Sequence, residues 1–142
     1  MTAFSVRPAI NTDIESICGF DQITQVDPQR RSFIQQTIAE QTCFVMTNAE
    51  QQVIGYIVLE YSFYEQGFVS LLIVHPAYRR QRVGDQLLLH VESICRTAKL
   101  FTSTNLSNVP MQSLLAKRKY LLSGVLHHLD EDDPELVYVK YL

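Results

Sequence analysis

The sequence predicts an α/β fold in a single domain, residues 1–142, with a mixed, mostly antiparallel central sheet of about six to seven strands flanked by about four helices. Three observations lead to this prediction. Runs rich in β-branched and aromatic residues alternate with segments of helical periodicity. One run, Phe68 to Val74, is almost wholly apolar, as in a strand buried on both faces. A helix and a new strand follow it, which predicts a right-handed βαβ unit with two parallel strands.

The first half of the chain predicts one short strand, two helices and a hairpin. The strand runs from Phe4 to Arg7, and the first helix from Asn11 to Phe20. Asp27 and the proline after it fit the N-cap and first turn of the second helix, which continues to about Glu40. Two β-rich runs separated by the polar sequence NAEQQ predict the hairpin, and these are Cys43 to Thr47 and Val53 to Phe63.

The second half of the chain predicts two helices and three strands after the apolar run. From Gly84 the apolar residues recur with a period of 3.6, which predicts a helix with one buried face. That face comprises Leu87, Leu88, Val91, Ile94, Cys95 and Ala98. A strand from Leu100 to Thr104 and a helix from Val109 to about Lys119 follow. Two final strands, Leu121 to Leu129 and Leu136 to Tyr141, flank the acidic loop DEDDPE.

Composition excludes several classes of function. A formal net charge of -3 gives no overall attraction to nucleic acid or an anionic membrane, so an anion site has to be local. The N-terminal MTAFSVRPAI lacks the apolar segment of a signal peptide, and no apolar run approaches the ~18 residues of a membrane span. Three separated cysteines without a C-x-x-C pair fit reduced thiols, so we expect a soluble, cytoplasmic protein. His127 and His128 lack metal-ligand spacing, and no metal is expected.

The segment VHPAYRRQRVGDQL is the feature that points to chemistry. It places Arg79, Arg80 and Arg82 between the end of a strand and the start of a helix. Unpaired amides and the positive end of the helix dipole favour a phosphate or pyrophosphate there, and arginines add charge-assisted hydrogen bonds. An ordinary solvated turn is the alternative, and the pattern alone leaves both open.

This segment resembles the acetyl-CoA signature of the GNAT superfamily of N-acyltransferases. Arg79, Val83 and Gly84 match the signature directly, and the flanking Val74, Pro76, Tyr78, Leu87 and Leu88 match as well. The order of elements fits over essentially the whole chain. The C-terminal segment from FTSTNLSNVPMQ to DEDDPELVYVKYL resembles a subgroup of small bacterial GNAT proteins, which brings no substrate with it.

The resemblance implies acetyl-CoA as cosubstrate and assigns residues to it. The backbone of Leu72, Ile73 and Val74 would bind the pantetheine arm like another strand, in a sheet with a V-shaped splay, and could serve the developing oxyanion. The pyrophosphate would be wrapped by the amides of Arg79, Arg80, Gln81, Arg82, Val83, Gly84 and Asp85. Asn105 and Asn108 match positions near the pantetheine, with a turn or cap role as the alternative for both.

The chain departs from the family pattern at Arg82 and Leu115, and Asp85 raises a further question about charge. Arg82 stands where the family most often has its first glycine, so it either takes an ordinary conformation or strains the loop by on the order of 1 kcal/mol. Asp85 would repel a pyrophosphate if it pointed inward, and we expect it to point to solvent. Leu115 occupies the position where many relatives carry the tyrosine that protonates the leaving thiolate.

Catalysis needs a group that takes a proton from the acceptor ammonium. Glu60 is the first choice for this base, on a strand face with Tyr56 and Val58, and a solvent-facing glutamate is the alternative. Tyr120 is the candidate for the acid that protonates the leaving thiolate, although tyrosines at such positions are more often core residues. Ser70 could orient a water, and His75 fits a structural role better than a catalytic one.

Two charged features of the sequence predict acceptors of opposite charge. The acidic loop favours a cationic amine, whereas Arg30 and Arg31 favour an anionic substituent. We therefore expect an N-acetyltransferase that moves an acetyl group to a primary amine of a small molecule or peptide by direct attack. The alternative is a noncatalytic CoA-binding or sensory module on the same fold. Neither nucleic acid nor membrane is expected as a partner, and the last strand pair could build a homodimer edge.

Overall fold

The computed structural model describes residues 3–142, and five helices and one seven-stranded sheet lie within them. The helices are α1 (Ile14–Phe20), α2 (Ile23–Val26), α3 (Pro28–Ala39), α4 (Val83–Ile94) and α5 (Val109–Lys117). The strands are β1 (Ser5–Pro8), β2 (Cys43–Thr47), β3 (Val53–Phe63), β4 (Gln66–Val74), β5 (Lys99–Asn105), β6 (Leu121–Leu126) and β7 (Glu135–Tyr141). Short 3₁₀ turns cover Asn11–Asp13 and Pro76–Tyr78.

The sheet has the order β1-β2-β3-β4-β5-β7-β6. β1 and β2, β2 and β3, β5 and β7, and β6 and β7 pair in antiparallel fashion, while β4 and β5 are parallel. The predicted mixed, mostly antiparallel α/β sheet and its βαβ unit are thus confirmed. Helix α2 was not predicted, because four residues are too few to show a helical period.

The chain divides into two compact units, and β3, β4 and α4 contribute residues to both. The first unit contains the residues up to Leu59 together with Leu71–Val91, and the second contains Glu60–Ser70 and Glu92–Leu142. The single domain stays a prediction.

The core of the first unit is mainly apolar and includes a polar cluster of Asp21, Tyr56 and Arg30. Cys43 belongs to this core, and burial raises the pKa of its thiol to about 12, which makes it an inert packing residue. Asp21 accepts a hydrogen bond from the Tyr56 hydroxyl at 2.5 Å and forms an ion pair with Arg30 at 2.9 Å. Because Asp21 is buried, these partners compensate a charge that would otherwise be costly to bury.

The core of the second unit contains the buried Leu100 and Leu115. A network around the Glu92 carboxylate lies in the same unit. Glu92 accepts hydrogen bonds from Arg118 at 2.7 Å, Lys140 at 2.9 Å and the Tyr120 hydroxyl at 2.8 Å. Burial alone would raise the pKa of Glu92, but these hydrogen bonds outweigh it and hold that pKa below its usual range.

Two predictions about burial are wrong. Ile94 was assigned to the buried face of α4, but its side chain is 41% exposed because the helix ends there. The apolar strand β4 was predicted to be buried on both faces. Its second half, Leu71 to Val74, is only half-buried, and the pairing with β5 covers only Gly67 to Val69. The apolar run therefore includes a strand segment that β5 leaves uncovered.

Candidate active site

The uncovered second half of β4 is the first component of the site. Parallel pairing with β5 ends at Val69 opposite Thr102, and Leu72, Ile73 and Val74 follow with partly exposed side chains. Ser70, at the point where the pairing ends, has a buried hydroxyl that meets no hydrogen-bond partner among the described residues. A buried hydroxyl without a partner costs on the order of 1–3 kcal/mol, so this atom suits a polar group of a ligand.

The turn after β4 is anchored at both ends. The His75 amide donates to the Ile54 carbonyl at 2.8 Å, and the His75 Nδ1 accepts from the Ala77 amide at 3.0 Å. The Tyr78 hydroxyl accepts a hydrogen bond from the amide of the buried Asn48 at 3.0 Å. His75 thus has the structural role that its position indicated. Sequence reasoning missed Asn48, because it lies 30 residues from its partner.

The arginine loop has an unusual backbone. Arg80 and Arg82 adopt left-handed conformations, with φ of 62° and 65°. Each such residue other than glycine is strained by on the order of 1 kcal/mol, so the strained alternative for Arg82 is the one observed. Left-handed residues in a turn help to direct successive amides to one side, which is how backbone concavities bind anions. All three arginine side chains of the loop are exposed or partly exposed.

Asp85 does not point to solvent as expected. Its side chain is only 14% exposed, and the Arg82 guanidinium lies 3.3 Å from its carboxylate. The reason is their spacing, because residues three apart at a helix start can form an ion pair. The contact reduces the repulsion that Asp85 would exert on a bound phosphate.

Close packing fixes the start of α4. The helix begins at Val83, and the amides of a first helical turn point out of its N-terminal end. Gly55 on β3 makes room for it, because a Cβ there would lie 2.9 Å from Val83 Cγ1 and 3.2 Å from the Ile73 carbonyl oxygen. The sequence did not identify Gly55 as part of the site, since nothing local distinguishes a glycine in a strand that packs against a distant helix.

Substituting Gly55 with alanine should lower the free energy of unfolding by about 1–3 kcal/mol, because overpacking forces Val83 or the β4 backbone to move. The same shift should weaken acetyl-CoA binding, measured by titration calorimetry beside chemical denaturation. Gly19→Ala is the matched control, since a Cβ at Gly19 meets nothing within 4 Å. Equal behaviour of the two variants would contradict the packing role.

The two predicted asparagines lie in the second unit and have partners of their own. Asn105 donates to the Asp130 carboxylate at 2.8 Å. Asn108 caps α5, since its side-chain oxygen accepts from the Met111 amide at 3.2 Å. Asn108 therefore has the cap role that was left open, whereas Asn105 contacts the distant acidic loop, and the role of both in cosubstrate binding stays a prediction.

The predicted catalytic residues also lie in the second unit. Glu60 is half-buried on β3. Tyr120 is buried, and burial together with the neighbouring Glu92 carboxylate raises the pKa of its phenol. Leu115 is fully buried in the core of this unit. The roles of Glu60 and Tyr120 in catalysis stay predictions.

The acidic loop lines a cavity of about 360 Å³ together with His127 and His128. The acidic residues of the loop have different surroundings. Asp133 accepts hydrogen bonds from the amide of Ser107 at 3.0 Å and from its hydroxyl at 2.6 Å, so it holds the loop in place. Glu131 and Asp132 are exposed.

The two arginines that pointed to an anionic acceptor are paired with acids. Arg30 forms an ion pair with the buried Asp21, and Arg31 forms one with Glu15. Each of these two positive charges is therefore paired with a negative charge of the first unit.

Residues 3–142 contain neither a membrane-spanning helix nor a group of metal ligands. None of the helices described is both long and apolar enough to span a membrane. In the same range, no three or more side chains of His, Cys, Asp or Glu are placed together as a group for a metal ion.

These components fit coenzyme A. Within the first unit, a partly exposed strand segment suits an arm that carries amide groups, and the strained arginine loop before α4 suits a pyrophosphate. Such a strand, loop and helix in an α/β fold are typical of coenzyme A-dependent acyltransferases, and the assignment of these residues to the cosubstrate stays a prediction.

Comparison with known proteins shows the family. The model of the acetyltransferase (GNAT) family matches residues 12–120. The chain therefore belongs to the GNAT family, and it is an acetyl-CoA-dependent N-acetyltransferase. A comparison with curated proteins found no match.

Solved structures agree with this assignment. A GNAT-family acetyltransferase from Bacillus cereus is 31% identical with a TM-score of 0.90, over 98% of this chain and 97% of that one. The ribosomal-protein-S18-alanine N-acetyltransferase from Escherichia coli is 16% identical, with a TM-score of 0.80 over 98% and 94%. The PaiA N-acetyltransferase from Thermoplasma acidophilum, solved with coenzyme A, is 14% identical, with a TM-score of 0.80 over 99% of both chains. The last two likenesses concern the fold.

Proposed function

We propose that the enzyme acetylates a primary amine of a small molecule or peptide that carries further positive charge. The supporting observation is the contrast between two sets of charges. Arg30 and Arg31 are paired with Asp21 and Glu15, whereas the exposed acids of the 360 Å³ cavity are available to a cation. A local excess of negative charge raises the concentration of cationic acceptors near it.

Acetyl-CoA supplies the acetyl group as a thioester. In the proposal, the backbone amides and carbonyls of Leu72, Ile73 and Val74 bind the pantetheine amides, and an amide of this segment donates to the thioester oxygen as negative charge develops there. The amides from Arg79 to Asp85 and the guanidinium of Arg82 bind the pyrophosphate. The half-buried position of Leu72, Ile73 and Val74 and the strained backbone of the exposed Arg80 and Arg82 support the assignment.

The proton of the acceptor ammonium goes to Glu60 in this proposal, either directly or through a water. Its half-buried position on β3 supports this role. Tyr120 is the proposed acid. To protonate the thiolate, its hydroxyl has to break the 2.8 Å hydrogen bond that it donates to the Glu92 carboxylate, which costs free energy.

The experiment that tests the function is a panel of amines with release of the coenzyme A thiol as readout. The panel pairs amines that differ only in charge: a diamine with its mono-acetyl derivative, and a peptide N-terminus beside a lysine with one beside a glutamate. We expect a higher kcat/KM for the more cationic member of each pair. A preference for the less cationic members would overturn the proposed acceptor class.

The acidic cavity gives a sharper prediction. The double variant Glu131→Gln/Asp132→Asn should raise KM for a cationic acceptor about tenfold at low salt and reduce the salt dependence of kcat/KM, while kcat changes little. Asp133 is avoided because it holds the loop through Ser107. The control is Glu50→Gln, an exposed acid of the other unit. An unchanged KM and salt dependence would remove the loop from the acceptor site.

A cytoplasmic location and a homodimer stay predictions.

A further inference from the structure

The turn between β2 and β3 contains a hydrogen-bond network centred on the buried Asn48. The Asn48 Oδ1 accepts from the amides of Glu50 at 3.0 Å and Gln52 at 2.9 Å. Its Nδ2 donates to the Gln52 Oε1 at 2.8 Å and to the Tyr78 hydroxyl at 3.0 Å. The side-chain amide of asparagine can make four such bonds, so Asn48 is saturated. Its orientation is fixed, because a flipped amide would direct its NH₂ group at two backbone N–H groups.

The backbone of this turn depends on Asn48. Gln51 adopts a left-handed conformation, with φ of 64°, which is unfavourable for a residue other than glycine. The Gln51 amide donates to the Asn48 carbonyl at 3.0 Å, and the Asn48 amide donates to the Gln52 carbonyl at 3.0 Å. An asparagine side chain that accepts from an amide two residues on stabilises such a turn. Asn48 therefore holds the turn through both its backbone and its side chain.

Tyr78 connects this network to the segment that follows β4. Its ring lies edge-on to the rings of Phe4 and His75, with centroids 6.1 Å and 5.6 Å away. Two ring contacts and the hydrogen bond from Asn48 therefore fix the position of Tyr78. The next residue in the chain is Arg79, where the arginine loop begins.

The loop that follows Tyr78 is both strained and exposed. Arg80 and Arg82 have left-handed backbones, and their side chains are exposed. The Gln81 side chain donates to the Ala77 carbonyl at 3.3 Å, which is a contact within the same turn. Strained backbone persists only where the surrounding structure holds it. The hydrogen bond between Asn48 and Tyr78 supplies such a hold at the start of the loop.

We propose that Asn48 is a positioning residue for the cosubstrate, which acts through the Tyr78 hydroxyl on the loop that binds the pyrophosphate. The turn between β2 and β3 is then coupled to the cosubstrate site. Because such coupling is reciprocal, a pyrophosphate that holds the loop also holds the turn. The inference rests on the proposed assignment of residues 79–85 to the pyrophosphate, so its test has to separate the two.

Calorimetric titration with coenzyme A measures the effect of the hydrogen bond on affinity. Tyr78→Phe removes the hydroxyl and keeps the ring, and it should raise the Kd for coenzyme A about five- to tenfold, as expected for one hydrogen bond. Asn48→Ala should raise the Kd at least as much, and the double variant should match Asn48→Ala alone, because both residues act through one contact. Gln52→Ala removes the other partner of the Asn48 Nδ2 and should leave the Kd nearly unchanged. Ile38→Val, in the core of the same unit, controls for lost stability and should also leave it unchanged.

Hydrogen exchange with and without saturating coenzyme A separates this inference from the proposed function. Coenzyme A should protect residues 79–85, and it should protect the turn at 48–52 more than helix α3 of the same unit. In Tyr78→Phe the loop should still be protected at saturation, while the additional protection of the turn is lost. An unprotected loop would overturn the pyrophosphate assignment and the inference together. A protected loop without additional protection of the turn, or a Tyr78→Phe variant that binds as tightly as the wild type, would overturn the inference alone.

Discussion

Replacing Glu92 with glutamine should lower the free energy of unfolding by about 3 kcal/mol, at the low end of the range for breaking a buried ion pair. The Glu92 side chain is 8% exposed, and Arg118 and Lys140 both direct their charges at its carboxylate. Glutamine keeps an acceptor oxygen but not the negative charge. Two largely buried cations would then lose the negative charge of Glu92, which helps to compensate their desolvation.

The same network predicts that the free energy of unfolding depends on pH. The pKa of Glu92 is lower in the folded protein than in the unfolded chain, where a glutamate titrates near ~4.3. Stability from this group is therefore complete above about pH 4.3 and is lost as the pH falls through the lower folded pKa. The difference in unfolding free energy between wild type and Glu92→Gln should shrink over that acid range.

Urea denaturation at several pH values measures both effects. Glu15→Gln is the control, because it removes an acid whose ion pair with Arg31 lies at the surface, and it should leave the midpoint nearly unchanged. A small loss for Glu92→Gln that does not vary with pH would show that the network contributes little.

Local patterns were sufficient to predict most elements. The bounds of β2 and β3 follow from two β-rich runs and the polar turn between them, and all of that information lies within 21 residues, 43–63. The half-exposed end of β4 could not be predicted in this way. The end of its pairing depends on β5, which lies about thirty residues later in the chain, and its burial depends on what packs against its two faces.

The residues of the candidate site also differ in whether the local sequence predicts them. The arginine loop is visible in the sequence because its residues are contiguous, and the structure confirms that it joins a strand to a helix. The residues that position this loop are distant from it in the sequence. Gly55 packs against Val83, and Asn48 binds Tyr78, so these positions emerge only when distant segments are brought together.

Replacing Arg82 with glycine should separate the two effects that this residue has on the loop. Glycine adopts φ of 65° without strain, so relief of on the order of 1 kcal/mol should maintain or raise the stability of the protein. The side chain is 73% exposed, and the loss of its contact with Asp85 costs little. Coenzyme A binding should nevertheless weaken at least tenfold, because a charge-assisted hydrogen bond to phosphate contributes about 1.5–3 kcal/mol.

Arg82→Gln is the control that distinguishes charge from backbone, since it removes the guanidinium and keeps a side chain in the left-handed conformation. If the guanidinium binds phosphate, both variants lose affinity for coenzyme A in calorimetric titrations, and only the glycine variant gains stability. Arg80→Gly, at the other left-handed position, shows how much of any change comes from loop flexibility alone. Tighter binding by Arg82→Gly would mean that the arginine hinders the approach of the pyrophosphate to the backbone, and that its role lies in the ion pair with Asp85.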